Sequence, residues 1–172
     1  YLCAILIMIK MRKLVIFDLD GTLINSIEDL GVAVNHVLSI KGFPLHETDE
    51  FYMMVGNGVR NLMKCALPEE YRKDDSFREE SMYMFMKYYS EHIDIYTKPY
   101  PGICELLDRL SKKGVSLAIA SNKFQSGTEV LAQKLFPKIS FKAIYGNGPG
   151  NALKPSPEIV FNAMEAAGMK DS

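Results

Sequence analysis

The chain has 172 residues, of which 48% are hydrophobic and 24% are charged, and its formal net charge is −1 at pH 7. This length suits one ordinary domain or a core with a small insertion, and this composition is typical of a soluble globular protein. The balanced charge and the lack of a long basic run argue against a nucleic-acid-binding protein.

The first residues form an apolar leader, residues 2–9. It is shorter than the about 20 residues that span a bilayer, and basic residues follow it rather than precede it, so we expect neither a membrane anchor nor a secretory signal. We interpret Met11 as a plausible native start and the leader as an extra strand. The three cysteines, Cys3, Cys65 and Cys104, lack metal-site spacing, so we expect buried, reduced thiols and a cytoplasmic location.

Residues 13–17 form a mostly apolar run that predicts a strand buried on both faces of a parallel sheet. Asp18, Asp20 and Gly21 follow at its C-terminal end, which is the edge where open α/β sheets bind ligands. Asp18 lies nearest the strand and suits a nucleophile, whereas Asp20 on the turning loop suits a general acid and base. Two carboxylates this close favour a bound Mg²⁺. The alternative is an Asp-Gly turn with solvated carboxylates.

The next stretch, to about residue 96, has helical periodicity throughout. Ser26 can cap its first helix, with Asp29 at the capping-box position. A glycine-rich loop at residues 56–58 separates two short helices, and a long helix rich in methionine and aromatic residues follows, which we interpret as core packing. The predicted helices are 26–41, 47–53, 59–67 and 77–95. We therefore predict a helical cap over residues 25–96.

A proline-rich connector at residues 97–102 returns the chain to α/β alternation. The predicted elements are a helix at 103–113, a strand at 115–120, a helix at 127–135, a strand at 141–145 and a helix ending at 167. This order predicts a Rossmann-like parallel sheet with right-handed crossovers. The core would then comprise residues 11–24 and 97–172, with the cap over the C-terminal edge of the sheet.

Three further polar residues should reach that edge. Ser121 and Asn122 end the second strand, and Lys154 opens the last helix. A phosphoryl group in transfer needs its charge neutralised and its oxygens hydrogen-bonded, and these residues offer a hydroxyl, a backbone N–H and a positive charge. Each has a commonplace alternative, namely a turn for Ser121-Asn122 and a solvated side chain for Lys154.

The segment Asp18-Leu19-Asp20-Gly21-Thr22 resembles the first motif of the haloacid dehalogenase-like hydrolases. Ser121 resembles the second-motif hydroxyl residue, and Lys154 the third-motif lysine. The resemblance implies an aspartyl-phosphate mechanism, with Asp18 as nucleophile and Asp20 as general acid and base. It also implies Mg²⁺ held by the Asp18 carboxylate and the Asp20 main-chain carbonyl. In this family the second aspartate accompanies phosphate transfer rather than dehalogenation.

The segment Gly56-Asn57-Gly58-Val59-Arg60 is similar to phosphoglycolate phosphatases, although Asn25 stands where those enzymes often have Asp. The similarity implies a small phosphorylated metabolite, with phosphoglycolate foremost, as substrate. We expect Gly56 and Arg60 to meet the non-phosphate end of the substrate, and the alternative for Arg60 is a surface salt bridge.

Two other functions remain open. The first is a phosphosugar mutase of the same superfamily, against which Thr22 argues because such mutases tend to have Val there. The second is a catalytically incomplete phosphate-binding fragment. The family has a fourth, acidic motif beyond the helix that follows Lys154, and we expect a longer reading frame to supply it. We therefore expect residues 1–172 alone to bind Mg²⁺ weakly and to turn over little phosphate ester. The sequence leaves the oligomeric state open.

Overall fold

The computed structural model describes residues 13–148 and 153–169. Its strands are β1 (Leu14–Phe17), β2 (Ile24–Asn25), β3 (Lys98–Pro99), β4 (Ser116–Phe124) and β5 (Phe141–Asn147). Its α-helices are α1 (Ile27–Ile40), α2 (Gly58–Ala66), α3 (Asp75–Glu91), α4 (Ile103–Lys112), α5 (Gln125–Leu135) and α6 (Glu158–Ala166), with 3₁₀ helices at Thr48–Met53 and Glu69–Tyr71. The elements that the sequence predicts within the described residues occur in the predicted order, and the short strands β2 and β3 and the 3₁₀ helix at Glu69–Tyr71 were not predicted.

The main sheet is parallel. In the described part of the chain its strand order is β1-β4-β5, with Leu14 opposite Ser116 and Phe17 opposite Ile119. The crossover from β4 to β5 contains α5, as a parallel pair requires. The predicted Rossmann-like α/β core is therefore confirmed. The predicted leader strand lies outside the described residues.

Apolar side chains cover both faces of the sheet because successive side chains along each strand point to opposite faces. Among the described residues, one large buried cluster takes Leu117 and Ile119 from β4 together with Leu131 of α5. A smaller cluster on alternate positions joins Ala118, Ala143 of β5 and Ala163 of α6. The small side chains of this second cluster let α6 approach the sheet closely.

The helices α1, α2 and α3 lie in sequence between β2 and β3, which pair antiparallel with each other. The two crossings into and out of this helical segment therefore run side by side. We define the helical segment as residues 25–96. Its treatment as a cap separate from a core of 11–24 and 97–172 stays a prediction.

The capping-box prediction is wrong. Ser26 is the residue before α1, but its side chain makes no cap hydrogen bond and instead donates to Asp20. Asp29 is buried and accepts hydrogen bonds from the N–H groups of Tyr96 and Thr97 and from the Thr97 hydroxyl. Both side chains are used for tertiary contacts, which the local spacing does not reveal.

Two strand and helix limits also differ from prediction. Strand β4 continues to Phe124 instead of stopping after Ala120, because Phe124 still pairs with Asn147 of β5 beyond an irregularity in the register. Helix α3 begins at Asp75 because Asp74 caps it through the N–H of Phe77. The expectation of buried thiols is wrong for Cys104, which is exposed, and Cys65 is only partly buried. Cys3 lies outside the described residues. Within 13–148 and 153–169, no helix combines the length and apolar character that crossing a membrane requires.

Candidate active site

The loop after β1 carries the two predicted carboxylates. Gly21 adopts a φ of 77°, and its N–H donates to the Ile24 carbonyl at 2.9 Å, which closes a tight turn. Asp18 lies at the start of this turn, where its Oδ1 accepts from the N–H of Leu19 at 2.7 Å. Asp20 is more enclosed, with a side chain that is 16% exposed against 40% for Asp18. The turn thus points one accessible and one enclosed carboxylate at the same edge of the sheet.

Lys154 reaches that edge from the last loop. Its ammonium lies 2.7 Å from Asp18 Oδ1 and donates to the Ala120 carbonyl at 3.1 Å. The structure therefore brings together the predicted nucleophile and the predicted phosphate-binding lysine. The cation beside Asp18 also attracts an anion that approaches this edge of the sheet.

Asn122 holds this arrangement with its side chain. Its Oδ1 accepts from the Lys154 N–H at 2.7 Å, and its Nδ2 donates to the Gly56 carbonyl at 2.9 Å and to the Lys154 carbonyl at 3.2 Å. We expected only a backbone N–H from Asn122. The structure adds a side-chain role that ties β4 to the loop before α2 and to the loop of Lys154.

Ser121 is buried at the C-terminal end of the same strand, and its Oγ accepts from the Lys123 N–H at 3.2 Å. Its side chain lines a cavity with Asp18, Asp20 and Asn122. The four residues predicted from separate parts of the sequence thus share one cavity.

Lys123 also lines this cavity and was not predicted. Its side chain is only 1% exposed, and its ammonium lies 3.3 Å and 3.4 Å from the two Asp20 oxygens. It donates to the hydroxyl of Tyr89 in α3 at 2.6 Å and lies 4.8 Å from the centre of that ring. The only sequence signal for Lys123 was its position near the end of a predicted buried strand. A solvated lysine is equally typical of that position.

The surroundings of Lys123 and Tyr89 determine the charge state of each side chain. Burial alone lowers the pKa of Lys123, but the attraction of Asp20 and the contact with Tyr89 outweigh it, so the pKa stays above its ordinary value. Burial, opposed by Lys123, raises the pKa of Tyr89 to about 12. Lys123 is therefore a cation and Tyr89 a neutral phenol at neutral pH.

The cavity has a volume of about 50 Å³ and lies between the sheet edge and the helical segment. Its polar floor comes from the loop after β1 and the end of β4. Its roof is mainly apolar and includes Leu30, Val55, Val59 and Leu62, with Gly56 and Gly58 beside them. A small anionic group under an apolar roof is the ligand that this shape favours.

The two residues predicted to meet the substrate differ in their placement. Gly56 lines the cavity, whereas Arg60 does not. The Arg60 guanidinium pairs with Glu79 of α3 on an exposed surface, beside a second cavity that Arg78 and Lys64 also line. The predicted contact of Arg60 with substrate stays a prediction.

The chain is similar to known proteins in both sequence and fold. The family model for "Haloacid dehalogenase-like hydrolase" matches residues 15–172. The chain belongs to this hydrolase family. The resemblance inferred from the motifs at Asp18, Ser121 and Lys154 is confirmed at the level of the family.

Similar members of this hydrolase family are phosphoglycolate phosphatases. The one from Aquifex aeolicus is 36% identical over 156 residues, which cover 91% of this chain and 70% of that protein. The one from Pseudomonas savastanoi pv. phaseolicola is 35% identical over 166 residues, which cover 95% of this chain and 61% of that protein. The chain thus spans about two thirds of the length of these curated relatives.

A solved structure gives the same result for the fold. The crystal structure of a predicted phosphoglycolate phosphatase from Haemophilus somnus superposes with a TM-score of 0.83 at 25% identity, covering 92% of this chain and 72% of that one. The agreement includes most of the described sheet and helical segment.

The carboxylate oxygens at this site are the type of ligand that a hard divalent cation binds. Asp18 and Asp20 offer carboxylate oxygens, the ligands that Mg²⁺ prefers, at one edge of the sheet. Among the described residues, no group of three or more acidic, histidine or cysteine side chains is placed to hold a metal. Asp18 and Asp20 are therefore the described residues that would contribute to holding such a cation.

Proposed function

We propose that this protein is a phosphatase that hydrolyses a small phosphate monoester through a phosphorylated Asp18. The observation that carries the proposal is the 2.7 Å contact of Lys154 with Asp18, which lines a cavity together with Asp20 and Ser121. A carboxylate nucleophile, a second carboxylate two residues on and a fixed cation are the groups that this chemistry requires. The phosphatases among the relatives support the same reaction.

In the first step, an oxygen of the Asp18 carboxylate attacks phosphorus. The new bond joins Asp18 to the phosphoryl group while the bond from phosphorus to the ester oxygen breaks. The leaving oxygen takes the electron pair of that bond, and protonated Asp20 supplies its proton. Lys154 and the Ser121 hydroxyl offset and hydrogen-bond the charge on the phosphoryl oxygens.

In the second step, Asp20 accepts a proton from water as the water oxygen attacks phosphorus. The bond from phosphorus to Asp18 breaks, so phosphate leaves and the Asp18 carboxylate is regenerated. Asp20 ends protonated and ready for the next ester. The enclosed position of Asp20 suits this role because the proton is exchanged inside the cavity rather than with bulk solvent.

Mg²⁺ is the metal that the family resemblance implies, and Asp18 and Asp20 would contribute to holding it. When bound, it supplies positive charge that lowers the repulsion between the Asp18 carboxylate and an incoming phosphate. The chain itself supplies Lys154, beside Asp18, for the same electrostatic purpose.

Phosphoglycolate is the substrate that we propose. The relatives from Aquifex and Pseudomonas carry that name, and the small cavity favours a compact ester. The substrate is then a small phosphorylated metabolite, which fits the cytoplasmic location predicted from the cysteines. Gly56 at the cavity and Arg60, which follows the same glycine-rich loop, are the proposed contacts of the non-phosphate end.

The test is a Mg²⁺-dependent phosphatase assay of the protein expressed from its complete reading frame. The panel should contain phosphoglycolate, p-nitrophenyl phosphate, a hexose phosphate and glycerol phosphate. We expect Asp18→Asn to reduce turnover of every hydrolysed ester by about 10⁴-fold or more, because the covalent route is lost. Acid-stable labelling of the protein with ³²P after a rapid quench should disappear in the same variant.

Asp108→Asn is the matched control, since Asp108 is an exposed aspartate that pairs with Lys112 away from the cavity. It should leave both turnover and labelling unchanged. Near-normal turnover by Asp18→Asn would contradict the mechanism, and transfer of phosphate between positions of the hexose phosphate would favour a mutase instead.

A further inference from the structure

Lys123 and Tyr89 form a contact that the proposed reaction does not use. Tyr89 is fully buried in α3 of the helical segment, and Lys123 is buried in β4 of the sheet. The lysine ammonium connects the Tyr89 hydroxyl at 2.6 Å with the Asp20 carboxylate at 3.3 Å. Helix α3 is therefore connected to the proposed proton donor through a buried cation.

Asp20 is held from two sides. The Ser26 hydroxyl donates to its Oδ1, and the Lys123 ammonium lies within 3.4 Å of both its oxygens. A carboxylate restrained by two donors has less freedom to rotate than one on an open turn. The proton that Asp20 transfers is then held in a fixed direction relative to Asp18.

We propose that Lys123 and Tyr89 are positioning residues for Asp20. The packing of α3 against the sheet then determines the direction in which Asp20 donates its proton. Neither residue exchanges a proton or touches phosphorus in this proposal. Lys123 orients the Asp20 carboxylate, and Tyr89 orients the Lys123 ammonium.

A purely structural role would not require this chemistry. An apolar side chain of similar volume fills a buried position without the desolvation cost that a buried ion pair carries. The lysine also brings its cation to the cavity lining rather than to a site remote from it. The position of the charge, beside Asp20 and within reach of α3, is what the positioning role accounts for.

The inference rests on the proposed function, and it predicts a result that the proposed function alone does not predict. General-acid assistance matters when the leaving oxygen is a poor leaving group, as in an alkyl phosphate, and matters little when it is p-nitrophenolate. Loss of Asp20 positioning should therefore slow the first step, in which the leaving group departs, selectively for alkyl phosphates. The second step uses Asp20 as base for every ester, so the comparison needs the rate of leaving-group release in a single turnover. A general loosening of the fold would penalise both kinds of ester.

The experiment compares Lys123→Met with Lys41→Met in the protein expressed from its complete reading frame. Lys41 is a close match because its ammonium pairs with Glu80 at 2.9 Å and lies 4.1 Å from the ring of Phe77 in the same helix, α3. The rate of leaving-group release in a single turnover is measured with p-nitrophenyl phosphate and with the alkyl phosphate that the parent protein hydrolyses fastest.

We expect Lys123→Met to slow leaving-group release from the alkyl phosphate about 10- to 100-fold and from p-nitrophenyl phosphate by less than about threefold. In an Asp20→Asn background the same substitution should add less than about a twofold loss, because the group that it positions is gone. Lys41→Met should affect both substrates equally and by less than about twofold.

Tyr89→Phe keeps the ring and removes only the hydroxyl, so it serves where Lys123→Met does not fold. It should show the same selectivity at about a 3- to 10-fold loss on the alkyl phosphate. Equal losses on both substrates, or full additivity with Asp20→Asn, would overturn the positioning role while leaving the phosphatase proposal intact. Absence of turnover of any ester by the parent protein would overturn both proposals.

Discussion

Tyr89 packs like an aromatic residue of the core, and its hydroxyl also takes part in the electrostatics of the site. Its ring stacks on Phe85 within α3, as the methionine-rich and aromatic stretch predicts, and its hydroxyl accepts a hydrogen bond from Lys123. Burial raises the pKa of this phenol from the ordinary value of 10.0 to about 12. The folded protein therefore retains a proton that the unfolded chain loses above pH 10.

This retained proton predicts how stability depends on alkaline pH. Between pH 10 and pH 12 the folded state binds more protons than the unfolded state, so the free energy of unfolding falls as pH rises, by about 1–3 kcal/mol from Tyr89. The contribution is complete below pH 10. Urea unfolding of the parent and of Tyr89→Phe across this range should show a steeper fall for the parent. Parallel stability curves for the two proteins would contradict the retained proton.

Arg60 is a residue whose two interpretations make different predictions. Its pair with Glu79 is exposed on both sides, so Arg60→Ala should change the free energy of unfolding by less than about 1 kcal/mol. If Arg60 leaves Glu79 to meet a substrate carboxylate, the same variant raises KM for phosphoglycolate more than for p-nitrophenyl phosphate.

The control is Glu79→Gln, which breaks the pair but keeps the arginine. It should leave KM for phosphoglycolate unchanged or lower it. A KM increase of equal size for both esters in Arg60→Ala would remove Arg60 from substrate recognition.

The sequence predicted Asp18, Asp20, Ser121 and Lys154 because each follows a strand or opens a helix, and parallel strands end at one edge. It did not predict Lys123, since local pattern cannot distinguish a lysine turned into the protein from one turned to water. The partners that keep Lys123 buried are Asp20, 103 positions away, and Tyr89, 34 positions away. Long-range pairing of this kind is invisible to periodicity.

At the scale of elements, Asp29 connects the beginning of α1 to the chain that enters β3. Its buried carboxylate accepts the N–H of Tyr96 at 3.0 Å, the N–H of Thr97 at 2.8 Å and the Thr97 hydroxyl at 2.6 Å. The antiparallel pair of β2 and β3 lies next to this contact. Both connections of the helical segment are therefore fixed to each other by one side chain.

Asp29→Ala should lower the free energy of unfolding by about 2–4 kcal/mol, because buried donors lose a charged acceptor. Glu28→Gln is the control, since Glu28 occupies the same first turn of α1 and is exposed. Urea unfolding of the three proteins checks the difference, and hydrogen exchange at Tyr96 and Thr97 should become faster in Asp29→Ala alone. A loss as small as that of Glu28→Gln would show that the β2–β3 pair holds the connections unaided.

The limits of elements were predictable where a local cause sets them. Gly42, Gly114 and Gly168 have positive φ values directly after α1, α4 and α6, and the sequence placed those ends within a residue. The end of β4 was not predictable, because its last pairing depends on where β5 lies. Local chemistry therefore fixed helix ends better than strand ends.

For the whole molecule, the important feature is that the large buried cluster crosses the boundary between the helical segment and the sheet. It includes Leu38 of α1 and Phe85 of α3 as well as Leu117 of β4 and Leu131 of α5. The contacts of Lys123 with Tyr89 and of Asn122 with Gly56 cross the same boundary. The sequence predicted the two parts but not the extent to which they share a core, since which apolar faces meet depends on tertiary packing.

A shared core predicts a single cooperative unfolding transition. Leu38→Ala in the helical segment and Leu131→Ala beside the sheet remove fully buried side chains, so each should cost about 2–5 kcal/mol. Each should move one common urea midpoint, with hydrogen exchange in α3 and in β4 reporting the same free energy. Leu106→Ala, at an exposed leucine of α4, is the control and should leave the midpoint nearly unchanged. A biphasic transition, or a loss confined to α3 in Leu38→Ala, would instead show that the helical segment unfolds independently of the sheet.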